Sequence, residues 1–310
     1  MKTKPRIIAI VGPTATGKSD LGVLLAKQCN GEIISADSRQ VYCGLDIGSG
    51  KITKKEMRKV PHHLIDIRDP KHVYSVAHFQ RDGRKAIKDI LSRGKLPIVV
   101  GGTGFYVDAL LTDMSLPEVK PDAQLRKKLE KFSASELHAK LRELDPKRAE
   151  SIDARNPVRL IRAIEIATYS GPVAPVIISS PYDVLYIGLK ADNTILKERI
   201  LLRLTKRIKR GMLAEFRNLH ANGLSWRRME ELGLEYRYGA RLLQKQITRD
   251  QFMTELTSEI YKYAKRQITW WKRNSNIHWL NIGDNEHSLE ITKSWLNQSP
   301  RTESAVCARS

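Results

Sequence analysis

Short apolar runs alternate with stretches of helical period along most of this chain. Arg6-Ile-Ile-Ala-Ile-Val11 reads as a buried strand, Glu32-Ile-Ile-Ser-Ala36 as a second, and Leu96-Pro-Ile-Val-Val100 as a third. Val184-Leu-Tyr-Ile-Gly-Leu189 and Ile277-His-Trp-Leu280 are candidate fourth and fifth strands. Helical patterns separate them: Leu21–Gln28, with Leu21, Leu24 and Leu25 on one face, and Val76–Leu91. This alternation predicts an α/β fold, a parallel sheet flanked by helices. Ligands of such sheets bind at the carboxyl ends of the strands. The loops at Gly12, Asp37 and Gly101 therefore converge on one predicted site.

From about Leu116 to Tyr169 the strand signal stops. A helix is expected from Pro121, another from the capping box Ser133-Ala-Ser-Glu136, and two more from Asp145-Pro146 and Asn156-Pro157. Gly171 fits the end of the last one. The expected division is a core of residues 1–115 and 171–296, with C-terminal helices, and a helical insertion over 116–170. Residues 297–310 are polar and aperiodic, and predict a disordered tail.

The loop after the first strand carries chemistry. Gly12-Pro13-Thr14-Ala15-Thr16-Gly17-Lys18-Ser19 fits the phosphate-loop pattern G-x-x-x-x-G-K-[ST] at every fixed position. Its glycines let backbone N–H groups wrap an anion, and the helix dipole adds to them. Lys18 supplies a mobile charge, and Ser19 can hold a magnesium ion. These features make the core P-loop NTPase-like and predict a bound polyphosphate. Asp37, at a strand end facing this loop, could accept a proton or order its own turn. The third strand runs into Gly101-Gly-Thr103-Gly104 without the strand-end Asp that holds magnesium in typical phosphate-loop ATPases. Arg199, Arg203 and Arg207 recur every fourth residue, on one helical face suited to clamping a diphosphate or a nucleic-acid backbone. Tyr261 to Arg273 interleaves aromatics with basic residues, as in surfaces that stack bases and meet phosphates. His62 and His63 lack a third ligand at metal-site spacing and read as structural.

Charge extends this picture. Across 310 residues, 54 Lys+Arg against 34 Asp+Glu give a net charge of +20, which attracts nucleic acid or an anionic surface. No apolar run is long enough to span a bilayer and no signal peptide is read, so the cytoplasm is expected. Cys29, Cys43 and Cys307 form no CxxC pair, which argues against a zinc site or a disulfide framework.

Together these segments resemble the tRNA dimethylallyltransferase family, also called tRNA isopentenyltransferases. The resemblance runs to about Leu280. It rests on the phosphate loop, Asp37-Ser-Arg-Gln-Val-Tyr42, Asp46-Ile-Gly48, Pro61-His-His-Leu-Ile-Asp66 and Gly101-Gly-Thr-Gly-Phe-Tyr106. It continues through Arg159-Leu-Ile-Arg-Ala-Ile-Glu165, Arg199 with Arg203, and Ala264-Lys-Arg-Gln-Ile-Thr-Trp270. It implies transfer of a dimethylallyl group from dimethylallyl diphosphate to N6 of the adenosine just 3′ of the anticodon in certain tRNAs. In that family the phosphate loop holds the prenyl diphosphate, which accounts for the missing strand-end Asp. The resemblance implies Asp37 as base, with Lys18, Thr103 and Arg203 as further catalytic groups and Mg2+ on Ser19. Contact with tRNA is expected from Asp37, Ser38, Arg39, Gln40 and Thr103. Further contacts are expected from Val158, Arg159, Leu160, Ile161 and Arg162 of the insertion, and from Lys265 and Arg266. No protein partner is implied, and a monomer is expected.

The chain departs from the family pattern at four places. Gly48-Ser-Gly50-Lys51 replaces Gly-Thr-Ala-Lys, Val158 stands where Gln is common, and Arg207 stands where Met is typical. Leu232-Gly-Leu-Glu-Tyr236 replaces an Ile-Gly-Tyr segment. The alternative is a phosphate-loop small-molecule kinase. A non-catalytic RNA-binding protein and an enzyme acting on free adenine nucleotides are further rivals.

Overall fold

The computed structural model describes residues 3–172 and 179–302. The chain divides into two compact units, Met1–Asp113 with Ser179–Ser310, and Met114–Ile178.

The larger unit is built on six parallel strands: β1 (Arg6–Val11), β2 (Gly31–Ser35), β3 (His62–His63), β4 (Leu96–Val100), β5 (Asp183–Lys190) and β6 (Ile277–Asn281). Their spatial order is β3-β2-β4-β1-β5-β6. β1 is central, pairing Ile8 with Ile98 of β4 and Ile10 with Ile187 of β5. Its residues Ile7 to Val11 are wholly buried, because both faces of the sheet are covered. The strand alternation sends Ile7, Ala9 and Val11 to one side, with Phe79, Val107 and Trp271. Ile8 and Ile10 go to the other, with Leu21 and Leu25. All five expected strands form. The sequence reading did not anticipate β3, since two half-buried residues carry no periodicity. Its pairing with Ile33 and Ile34 of β2 makes it a strand.

Helices α1 (Lys18–Gln28), α2 (Lys54–Met57), α3 (Val76–Ser92) and α4 (Gly104–Leu111) precede the smaller unit. That unit holds α5 (Ala123–Leu129), α6 (Ala134–Leu144), α7 (Pro146–Ser151) and α8 (Pro157–Ser170). Then come α9 (Asn193–Lys209), α10 (Met212–Ala221), α11 (Trp226–Leu232), α12 (Leu234–Leu243), α13 (Arg249–Trp271) and α14 (Asn285–Asn297).

In the smaller unit Leu137 and Leu141 of α6 pack with Leu160 and Ile164 of α8. Asp122, Ser133, Asp145 and Asn156 cap the four helices, so the helix expected from Pro121 begins two residues later, after its Asp122 cap. Glu165 is fully buried beneath Arg126 and Arg162 and also accepts the Asp122 N–H at 2.6 Å. Burial pushes its carboxyl up, but these hydrogen bonds outweigh that and hold it near 2.

Asn297, where the disordered tail was expected to start, closes α14. Beyond it the Lys4 N–H donates to the Arg301 carbonyl at 2.9 Å. The remainder of that segment, 303–310 with Cys307, lies outside the described residues. No helix among the described residues is long and apolar enough to cross a membrane.

Candidate active site

The loop after β1 enters α1 through Gly17, whose φ of 90° is left-handed. At Gly12, with φ of 128°, a Cβ would stand 2.4 Å from the Leu189 carbonyl oxygen, so β5 leaves room only for glycine. Thr16 donates its hydroxyl to the Pro13 carbonyl at 2.9 Å, and the Lys18 ammonium donates to the same oxygen at 2.6 Å. Lys18 is thus folded over its own loop. The Ser19 hydroxyl has no hydrogen-bond partner among the described residues and faces the cavity beside the loop.

That cavity is about 270 Å³ in volume. The phosphate loop forms one wall with Thr14, Ala15 and Gly17 to Ser19. Asp37 and Gln40 enter from the end of β2, Gly101 and Gly102 from the end of β4, and Arg199 and Arg203 from α9. The three strand ends that the sequence marked do meet. Asp37 is held by one oxygen only: its Oδ1 accepts the N–H groups of Arg39 at 2.8 Å and Gln40 at 3.3 Å. Asp37 therefore orders its own turn through Oδ1 and leaves Oδ2 without a partner among the described residues.

The electrostatics favour an anion. Burial, then the neighbouring Arg203, pushes the Lys18 ammonium down to about 7, against the pull of Asp37. Burial and Arg207 likewise lower Arg203 to about 10, so it stays charged at neutral pH. Lys18, Arg199 and Arg203 line the cavity with Asp20, Asp37 and Glu56, and Arg203, without a hydrogen-bond or ion-pair partner among the described residues, gains by meeting an anion.

Thr103 does not line the cavity directly. Its hydroxyl accepts the Ser38 N–H at 3.4 Å and bonds the Tyr263 hydroxyl, so it ties the β2 loop to α13. Arg199, one of the three arginines expected to clamp an anion, lines the cavity, as do Tyr263 and Gln267, which were not named as site residues. Arg199 donates to the Ala15 carbonyl at 2.7 Å. Gln267 lies in the buried stripe Phe252, Leu256, Ile260, Ala264, Gln267 and Trp271 of α13. A lone amide on an apolar stripe was the available signal. His62 also lines the cavity, whereas His63 is bound to the buried Glu32 at 2.8 Å.

The residues expected to meet tRNA fall into distinct places. Gln40 lines the cavity, whereas Arg39 donates to the Leu232 and Ser38 carbonyls. Lys265 and Arg266 are exposed on α13, lying over the rings of Tyr261 and Tyr263 at 5.2 and 5.8 Å. In the smaller unit Val158 is 76% exposed and Arg159 is exposed too. Leu160 and Ile161, by contrast, are core residues, and Arg162 is committed to Glu165 and the Val119 carbonyl. The helical period turns Leu160 and Ile161 toward the core of this unit, whereas Arg162 stays partly exposed beside Glu165.

A family model described as IPP transferase matches residues 40–274. A tRNA dimethylallyltransferase of Geotalea daltonii is 45% identical over 280 residues, covering 88% of this chain and 90% of the relative. The chain belongs to the tRNA dimethylallyltransferase family. Among solved members, the tRNA isopentenylpyrophosphate transferase of Bacillus halodurans superposes with a TM-score of 0.73 at 37% identity, covering 94% of this chain and 96% of that one. A eukaryotic dimethylallyltransferase acting on tRNA gives 0.79 at 25% identity, covering 96% and 81%. Membership of this family, whose curated members are prenyltransferases by name, does not favour the small-molecule kinase.

Proposed function

We propose that this chain transfers the dimethylallyl group of dimethylallyl diphosphate to N6 of the adenosine 3′-adjacent to the anticodon of tRNA. The products are N6-dimethylallyladenosine and diphosphate. The observation that carries this reading is the union, in one cavity, of the phosphate loop, a carboxylate oxygen on Asp37 and an Arg203 guanidinium, both without a partner among the described residues.

The adenine amine is a weak nucleophile, because its lone pair is delocalised into the ring. Asp37, through its unbonded oxygen, takes the proton that the amine loses as it attacks the allylic carbon. The leaving diphosphate gathers charge as its bond to carbon breaks. Lys18, Arg203 and the loop N–H groups take up that charge. Thr103 acts by holding Ser38 and Tyr263 beside the cavity. The target base leaves its stack to reach the pocket, as base-modifying chemistry requires.

A divalent cation suits the donor set. The Ser19 hydroxyl has no partner among the described residues, and Ser35 and Asp37 add hard oxygens to the same cavity; among the described residues no group of three His, Cys, Asp or Glu would hold a metal by itself. Mg2+ on Ser19 would then share the diphosphate oxygens and neutralise their charge. The exposed Arg159, Lys265 and Arg266 are the candidates for holding the RNA backbone. The modification belongs in the cytoplasm, where tRNA resides and where free cysteines such as Cys29 and Cys43 stay reduced.

Incubation with labelled dimethylallyl diphosphate and total tRNA, followed by nucleoside mass analysis, tests the reading. A prenyl mass on adenosine is expected. Folded protein that leaves tRNA unlabelled would refute it.

A further inference from the structure

The three arginines of α9 share one face but not one fate. Arg199 is bonded to the Ala15 carbonyl. Arg207 donates to Glu235 Oε1 at 3.1 Å and to the Gly48 carbonyl at 3.4 Å. Arg203, between them, makes no hydrogen bond or ion pair among the described residues, yet it lines the cavity.

Glu235 is the acid nearest in kind to a competitor. It sits in the first turn of α12 with its side chain 14% exposed. Burial pushes its carboxyl up, and the opposing pull comes from Arg207 first and Arg203 as well. A buried carboxylate needs a cation, and two adjacent turns of α9 offer one each.

The choice of Arg207 is built into the backbone. Gly50 has a φ of 63°, and a Cβ there would stand 1.6 Å from Arg207 Nη2 and 2.4 Å from its Cζ. The guanidinium lies against bare main chain. The slot is rigid, because Glu215 accepts the N–H groups of Asp46, Ile47 and Gly48 at 3.1, 2.6 and 3.0 Å. The Ser49 N–H donates to the Tyr236 hydroxyl at 3.1 Å. Gly50, Arg207 and Glu235 each fall in a segment that departs from the family pattern, and here they form one contact.

We propose that Arg207, seated over Gly50, sequesters Glu235 and so leaves Arg203 free to bind the diphosphate. Arg207 and Glu235 are positioning residues. Without Arg207 the carboxylate turns to the next guanidinium along the helix and withdraws it from the cavity. The inference rests on the cavity's taking a diphosphate.

The test is binding of inorganic diphosphate with Mg2+, by calorimetry, to the full chain. Circular dichroism and melting curves report folding alongside. R207M should weaken binding about tenfold, the scale of one charge-assisted contact. G50A, which displaces the same guanidinium, should do likewise. Adding E235Q to either removes the competitor and should restore affinity to within about twofold of wild type. Unchanged binding by R207M, or a loss that E235Q does not mend, would overturn the proposal. Failure of the wild-type chain to bind diphosphate would instead overturn the functional reading beneath it.

Discussion

The side-chain carbonyl of Gln267 accepts the backbone N–H of Thr14 at 2.8 Å, across 253 residues of sequence. The same amide donates from Nε2 to the Gly102 carbonyl at 2.8 Å. A backbone N–H only donates and a carbonyl only accepts, so the orientation of the amide is determined. One buried side chain thereby sets the distance between the phosphate loop and the glycine turn after β4.

Gln267→Leu should leave both peptide groups unpaired, at a cost of roughly 2–4 kcal/mol. Turnover should fall with stability. Gln267→Glu can still accept from Thr14, but when ionised it sets a buried carboxylate against the Gly102 carbonyl, so its defect should ease as pH falls and a protonated carboxyl can donate. Melting temperatures and kcat of the two variants check this. A Gln267→Glu defect that does not ease on acidification would count against the bridge.

Asp37→Ala should retain diphosphate binding and lose about 10² to 10⁴ in turnover, the usual weight of a general base. Its Oδ1 orders the turn at Arg39 and Gln40, so Asp37→Asn is the informative companion. Asn keeps an acceptor for the turn but no basic oxygen. Single-turnover rates should fall in both variants. A nearly normal Asn variant would assign the proton to another group.

Lys18 gives a pH signature. In the free protein its ammonium titrates near 7, chiefly through burial. A bound diphosphate raises that value, since an opposite charge favours the protonated form. Above pH 7 binding should therefore take up a proton, and affinity should decline as pH rises further. Calorimetry at pH 8 in buffers of different ionisation heat measures the uptake directly. Lys18→Met should abolish it, and uptake that persists in this variant would exclude Lys18 as its source.

Salt should separate the two substrates. Affinity for tRNA should fall steeply with salt, by about 0.7–0.9 in log affinity per neutralised phosphate per log unit. Dimethylallyl diphosphate, held in one enclosed loop, should respond less. Replacing Lys265 and Arg266 by Ala should flatten the tRNA slope and spare chemistry, whereas Arg203→Ala should slow chemistry more than it weakens tRNA binding. Filter binding across salt concentrations, paired with single-turnover rates, distinguishes these patterns. A tRNA slope as shallow as that of the diphosphate would leave the +20 charge without this role.

The sequence alone determined the sheet, the phosphate loop and the family. Those features are local or periodic: apolar runs of strand length, glycines at required turns, caps at helix starts. Chain order at the strand ends was enough to bring Gly12, Asp37 and Gly101 together, because a parallel sheet puts its strand ends on one side. Tertiary structure alone decided which polar groups are spoken for. Leu160 and Ile161 looked like neighbours of Arg159, but burial turned them inward. Gln267 looked like one more polar residue in a basic helix until its two partners appeared. Three equivalent arginines became a loop clamp, a free guanidinium and a counterion to Glu235. The physical reason is that a hydrogen bond or ion pair depends on what packs opposite it, and those partners lie up to hundreds of residues away.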